Sequence, residues 1–179
     1  MPEIKVLPKE ISELIAAGEV VERPASVIKE LVENSIDAGA DNITVEIQHG
    51  GITYMRITDN GCGIARNDVP TAFLRHATSK IKSSGDLNAI GTLGFRGEAL
   101  AAVSSVAKVE MFTKPRENDL GTHYEIDGGQ EKLCEEAGCP DGTTIVIRDI
   151  FYNTPARMKF LKKDVSEANA AAAVVERIA

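Results

Sequence analysis

Three groups of residues in this sequence have the types and spacing to do chemistry. The first lies in Glu30-Leu31-Val32-Glu33-Asn34-Ser35-Ile36-Asp37-Ala38. At about 100° per residue, Glu30, Glu33, Asn34 and Asp37 fall within an arc of about 100° on one helix, bordered by Val27, Leu31 and Ala38. No Lys or Arg falls inside that arc. Carboxylates so spaced repel one another by a few tenths of a kcal/mol per pair, and a cation placed there would offset the repulsion. Mg²⁺ takes oxygen ligands and keeps several waters, so one Asn or carboxylate oxygen together with phosphate oxygens is a normal set for it. The alternative is a solvated acidic face.

The second group is Asp59-Asn60-Gly61-Cys62-Gly63. Met55 and Ile57 share one face of the preceding strand by the period of two, and Asp59 has the same parity. Its carboxylate is therefore directed toward an apolar face, where burial is costly unless it meets a donor. An exocyclic amino group such as that of adenine is a suitable donor. Gly61 and Gly63 let the backbone pass close to a flat ring. The alternative is an Asx-type turn that Asp59 simply caps.

The third group is Gly91-Thr92-Leu93-Gly94-Phe95-Arg96-Gly97-Glu98-Ala99-Leu100, in which glycines three apart feed into a helix. Free backbone N–H groups at a helix start, with an Arg beside them, make an anion site. Thr78-Ser79-Lys80, upstream, adds hydroxyl and ammonium donors. By itself this segment is equally compatible with a surface loop. The three groups together supply a carboxylate helix for metal and water, an acidic socket for a base and a Gly-Arg loop for phosphates. They form a nucleotide site without a P-loop, since the sequence contains no Gly-Lys pair. It also lacks Gly-x-Gly-x-x-Gly and Gly-x-Ser-x-Gly, the usual fingerprints of dinucleotide binding and hydrolase chemistry.

These residues need elements to hold them. The pattern predicts a short helix over 11–17 and a longer one from Pro24 to Ala38, stopped by Gly39. Alternation predicts strands over 43–48 and 53–59, joined by a turn at Gly50-Gly51. A helix over 68–77, a long loop over 78–97 and a short helix over 98–104 follow. Strands are expected over 106–113, 123–127 and 143–149, then a basic segment (Arg157, Lys159, Lys162, Lys163) and a helix from about Val165. That basic segment reads as a solvated face or a domain contact, with DNA contact as the alternative. Helices and antiparallel strands mix without a repeating βαβ unit, so the expected class is α+β, a two-layer sandwich with a mixed, mostly antiparallel sheet.

Composition sets bounds. The chain has 179 residues, 43% hydrophobic and 26% charged, as in an ordinary globular domain. With 20 Lys and Arg against 27 Asp and Glu, the net charge is −7, which disfavours nonspecific nucleic-acid binding. Three cysteines and three histidines without Cys-x-x-Cys or His-Glu-x-x-His spacing do not form a structural zinc motif, and free thiols are expected. The N-terminus carries charges where a signal peptide needs an apolar run, and no stretch approaches the roughly 20 apolar residues of a membrane span. A cytoplasmic protein with no membrane partner is the expectation. The last helix runs into Ala179 without a stop, which is expected of a piece of a longer protein.

Four segments resemble the GHKL ATPase superfamily and, within it, the MutL family of DNA mismatch repair proteins in a bacterial wording. They are IAAGEVVERPASVIKELVENSIDAGA (Ile15–Ala40), DNGCGI (Asp59–Ile64), RHATSKI with GTLGFRGEAL (Arg75–Leu100) and GTTIVIRDIFYNTPARMKFL (Gly142–Leu161). The resemblance implies the GHKL, or Bergerat, ATP-binding fold over residues 1–179 and an ATPase with ATP and Mg²⁺ as ligands. It implies that Glu30 is the general base for the attacking water and Asn34 the Mg²⁺ ligand. Asp59 would read adenine, helped by Thr143 on the far strand, with Gly63 in the same loop. Gly94, Phe95, Arg96 and Gly97 match the phosphate-covering lid, and Thr78, Ser79 and Lys80 lie on the adjoining loop. The arm from Met1 to about Val20 matches a segment that orders on ATP binding and clasps a second protomer.

The resemblance further implies a switch in which ATP-dependent self-dimerisation is coupled to mismatch-recognition and downstream repair proteins. It places a catalytic lysine, part of a basic DNA groove and a C-terminal dimerisation domain outside these 179 residues. DNA binding is then expected through the full-length protein and weak for this acidic stretch, and hydrolysis is expected to be slow in it. A type II topoisomerase ATPase domain shares the fold, but the lid and the segment Phe151–Arg157 favour mismatch repair. A histidine kinase has no need of a water-activating Glu at the position of Glu30. A binding module without activity is the remaining alternative.

Overall fold

The computed structural model describes residues 3–75, 77 and 98–179. Strand β1 (Ile43–Gln48) and strand β2 (Tyr54–Asp59) pair antiparallel across a short 3-10 turn at His49–Gly51. The two glycines of that turn take positive φ, 68° and 87°, which side chains rarely adopt. Along β2 every second residue is buried, namely Met55, Ile57 and Asp59. The other strands are β3 (Lys108–Lys114), β4 (Gly121–Asp127), β5 (Gln130–Ala137) and β6 (Gly142–Arg148). Among the described residues these form one six-stranded sheet in the order β1-β2-β6-β3-β4-β5. Among the described residues every pairing is antiparallel, where a mixed but mostly antiparallel sheet was expected.

Helices cover one face of the sheet. Helix α1 (Lys9–Val20) packs on α4 (Ala99–Val106), and α2 (Pro24–Asp37) packs on α6 (Asp164–Ile178) and on β1 and β2. Short helices α3 (Val69–Ala72) and α5 (Pro155–Met158) lie in the connections. The core is one cluster between the layers. Val27, Ile28 and Leu31 of α2 meet Met55 and Ile57 of β2, with Val109, Met111, Tyr124 and Ile147 from the central strands. Each such side chain contributes about 1.5–3 kcal/mol by leaving water. This is the α+β two-layer sandwich expected from the sequence.

Helix α2 begins with Pro24 in its first turn, where a missing N–H costs nothing. It ends in a Schellman motif. Ala40 N donates to Ser35 O (3.1 Å), Gly39 N donates to Ile36 O (2.9 Å), and Gly39 has φ 75°.

Three elements differ from expectation. The helix expected over 68–77 is a 3-10 turn at Arg66–Asp68 followed only by α3, which closes with i→i+3 bonds from Phe73 N to Pro70 O and from Leu74 N to Thr71 O. Strand β5 was absent from the expected set. Its residues, QEKLCEEA, do not alternate in burial because β5 is at the sheet edge and mostly exposed. Val106 closes α4 rather than opening β3. None of the described helices is long and apolar enough to cross a membrane.

Candidate functional site

Asp59 sits at the end of β2 and faces the helical layer with only 8% exposure. Three donors meet its carboxylate. Ser35 Oγ, on α2, donates to Oδ2 at 2.7 Å. Gly61 N donates to Oδ1 at 2.9 Å, and Thr143 N on β6 donates to the same oxygen at 3.3 Å. The Gly61 bond is the Asx-type turn that the sequence left open as an alternative. It does not exhaust the carboxylate, which has about four acceptor positions. Among the described residues three are filled, two on Oδ1 and one on Oδ2.

Thr143 stands directly opposite Asp59 in the β2–β6 register. Its hydroxyl pairs with that of Thr113 on β3 at 2.9 Å, and Thr113 is wholly buried. Thr113 Oγ1 also receives Ile64 N at 2.9 Å and donates to Gly142 O at 3.2 Å. Ser35 and Thr113 were not foreseen. Ser35 shares the buried face of α2 with Leu31, and Thr113 shares parity with Val109 and Met111. A polar residue on an apolar face was the signal that could have found both.

The glycines of this corner serve close approaches within the protein itself. A Cβ on Gly63 (φ 70°) would lie 2.3 Å from Lys114 O. One on Gly61 would lie 2.8 Å from Ala38 Cβ. Cys62 N donates to Ala38 O at 2.9 Å, so the loop after β2 is tied to the end of α2.

The acidic face of α2 is present. Glu30 and Asn34 are half-buried along one edge of the helix, about 6 Å apart along its axis. Asn34 immediately precedes Ser35, so the carboxylate helix and the Asp59 corner adjoin. The face is less bare than the arc implied. Lys29, outside the arc, reaches Glu33 at 3.2 Å as an i, i+4 pair and lies 3.8 Å from its neighbour Glu30. Glu33 is itself buried.

The residues assigned to the phosphate lid and its neighbour (Thr78, Ser79, Lys80, Gly94, Phe95, Arg96 and Gly97) lie outside the described residues. Glu98, which precedes α4, pairs with Arg75 at 3.8 Å. In the arm, Ile4, Val6 and Leu7 are exposed, whereas residues from Lys9 form α1 with Ala17 buried. Arg157 leaves the basic surface segment. Its guanidinium donates to Leu14 O (3.1 Å) and Val21 O (3.5 Å) against Gly18, a contact within the fold, while Lys159, Lys162 and Lys163 stay exposed.

Residues 22–135 match the family model of the histidine kinase-, DNA gyrase B- and HSP90-like ATPases. The chain belongs to this ATPase family. The matched stretch runs from the start of α2 into β5 and includes Glu30, Asn34, Asp59 and Gly63; Thr143 lies beyond it and reaches the site through sheet pairing. The family member is similar over its whole length to DNA mismatch repair proteins MutL. It is 56% identical to that of Agathobacter rectalis and 53% identical to that of Acidobacterium capsulatum, each over 179 residues. The chain spans 28% and 27% of those relatives' lengths. Among solved structures it resembles the Aquifex aeolicus MutL ATPase domain complexed with ADP, with TM-score 0.71 and 33% identity over 87% of this chain and 54% of that one. It also resembles the N-terminal domain of a DNA repair protein, with TM-score 0.75 and 28% identity over 91% of this chain and 46% of the other.

Proposed function

We propose that this chain is the ATP-binding and ATP-hydrolysing switch domain of a MutL-type mismatch repair protein, coupling nucleotide-dependent dimerisation to the recruitment of repair partners. The observation that carries the reading is Asp59, a buried carboxylate held by three donors with an acceptor position to spare. It would take the adenine amino group, with Thr143 beside it. Glu30, half-buried one turn before Asn34, would accept the proton of the attacking water as its oxygen bonds to the γ-phosphorus and the bridging P–O bond breaks, giving ADP and phosphate.

The oxygen donors on this edge of α2 fit Mg²⁺, a hard ion that prefers oxygen ligands, and Asn34 is the residue assigned to it. When bound, that ion supplies charge neutralisation at the phosphates. Thr78, Ser79, Lys80 and the lid residues 94–97 are assigned to the phosphates on sequence alone. Exposed Ile4, Val6 and Leu7 suit an arm that clasps a second copy when nucleotide binds. The net charge of −7 leaves DNA binding to the longer protein, and a cytoplasmic location fits that role. The test is cross-linking between single cysteines placed in the 1–20 arms of the full-length protein, together with phosphate release. A non-hydrolysable ATP analogue should join the two arms and ATP should be turned over; no nucleotide-dependent cross-link and no turnover would refute the proposal.

A further inference from the structure

The sheet face turned away from the helices carries a cluster that nucleotide binding does not use. The β3–β4 register sets Glu110 directly opposite Glu125, and like charges so placed destabilise a sheet. His123, on the same face of β4, aims Nε2 at both carboxylates, 2.9 Å from Glu110 Oε2 and 3.3 Å from Glu125 Oε1. One ligand atom from each of the three lies within 4.8 Å of the others. Tetrahedral ligands about 2.0–2.2 Å from an ion stand about 3.3–3.6 Å apart, so small side-chain shifts complete the geometry. Arg148 holds the other oxygen of Glu110, Oε1, at 3.3 Å and leaves Oε2 to the cluster.

The imidazole is already aimed. Phe112 stacks on it with centroids 4.3 Å apart and planes at 9°. Glu135, opposite His123 on β5, lies 3.5 Å from Nδ1. A carboxylate on the far nitrogen is how metal-ligating histidines are oriented and made more basic.

We infer that Glu110, His123 and Glu125 form a binding site for a divalent first-row transition ion of the Zn²⁺ type, with Glu135 orienting the ring and water completing the shell. One imidazole nitrogen with two carboxylates suits such an ion, whereas Mg²⁺ and Ca²⁺ take oxygen ligands. The ion ties β3 to β4 and, through Glu135, to the edge strand β5. No local spacing announces the site, because sheet pairing assembles it.

The test is thermal melting of this chain near neutral pH with Zn²⁺, Mg²⁺ or Ca²⁺, together with visible absorption of the Co²⁺-loaded protein. Zn²⁺ at a hundredfold excess over its Kd should raise Tm by about 5–10 °C, Mg²⁺ and Ca²⁺ should not, and Co²⁺ should give d–d bands. His123→Asn and Glu125→Gln should abolish both signals while leaving ATP affinity unchanged. The Glu125 side chain is 40% exposed, so its variant keeps the fold. Two results overturn the inference. One is no Zn²⁺-dependent shift. The other is binding that survives both variants and disappears when Cys62, Cys134 and Cys139 are replaced by Ser.

Discussion

Ser35 Oγ donates to Asp59 Oδ2 at 2.7 Å and joins the last turn of the acidic helix α2 to the end of strand β2. The same hydroxyl lies 3.1 Å from Leu31 O, within its own helix. One side chain thus fixes the spacing between the helix that carries Glu30 and Asn34 and the carboxylate proposed to read the base.

Ser35→Ala should lower stability by about 1–3 kcal/mol, because it removes a donor from a buried carboxylate. Urea unfolding measures this, and ATP affinity should fall with it. An unchanged midpoint with unchanged affinity contradicts a structural role for the pair.

Glu30→Ala in the full-length protein should keep ATP binding and lose hydrolysis by about 10²–10⁴-fold, the usual worth of a positioned general base. Comparing nucleotide Kd with turnover separates the two effects. Loss of binding at full turnover per bound ATP would remove Glu30 from the base role.

Gly39 and Gly142 both have positive φ, 75° and 100°. A Cβ on Gly39 meets open space, whereas one on Gly142 would lie 2.1 Å from Asp59 O. Gly39→Ala should therefore cost about 1–2 kcal/mol of backbone strain alone. Gly142→Ala should cost more than about 3 kcal/mol, because the β2–β6 junction beneath the site must also shift. Equal losses in denaturant titrations would contradict this ranking.

Burial pushes the Cys139 thiol above its ordinary value of 9.0; the Lys114 charge opposes this and the Asp141 charge adds to it. A raised folded-state value contributes stability below the unfolded value, and that contribution is lost as pH rises through the folded value. Stability should decline at alkaline pH, and Cys139→Ala should flatten that decline. Exposed Cys62 should also alkylate faster than Cys139, as mass spectrometry of iodoacetamide-treated protein would show. Faster labelling of Cys139 would contradict the burial account.

Much of the site is legible in one dimension because it rests on local periodicity. The parity of Met55, Ile57 and Asp59 puts the carboxylate on the core face, and the 3.6-residue period puts Glu30 beside Asn34. What was missed comes from contacts between elements. Ser35 and Thr113 find their partners 24 and 30 residues away. Lys29 is the exception within one element, an i, i+4 side chain that reaches a face its helical angle excludes. Strand β5 shows no alternation because an edge strand need not bury either side. Arg157 reads as one of four surface cations until α1 and the residue that caps it are seen to place two carbonyls against it.

In the proposed function, the acceptor left on Asp59 selects adenine. Calorimetric titration of the chain with ATP and GTP in the presence of Mg²⁺, repeated on Asp59→Asn, tests it most directly. Asn can still accept the amide bonds from Gly61 and Thr143 but turns the remaining acceptor position into a donor. Wild-type protein should bind ATP over GTP, and Asp59→Asn should lose about ten- to hundredfold in ATP affinity, the worth of one hydrogen bond to a charged group. Equal affinity for the two nucleotides, or an Asp59→Asn variant that binds ATP as the wild type does, would contradict the account.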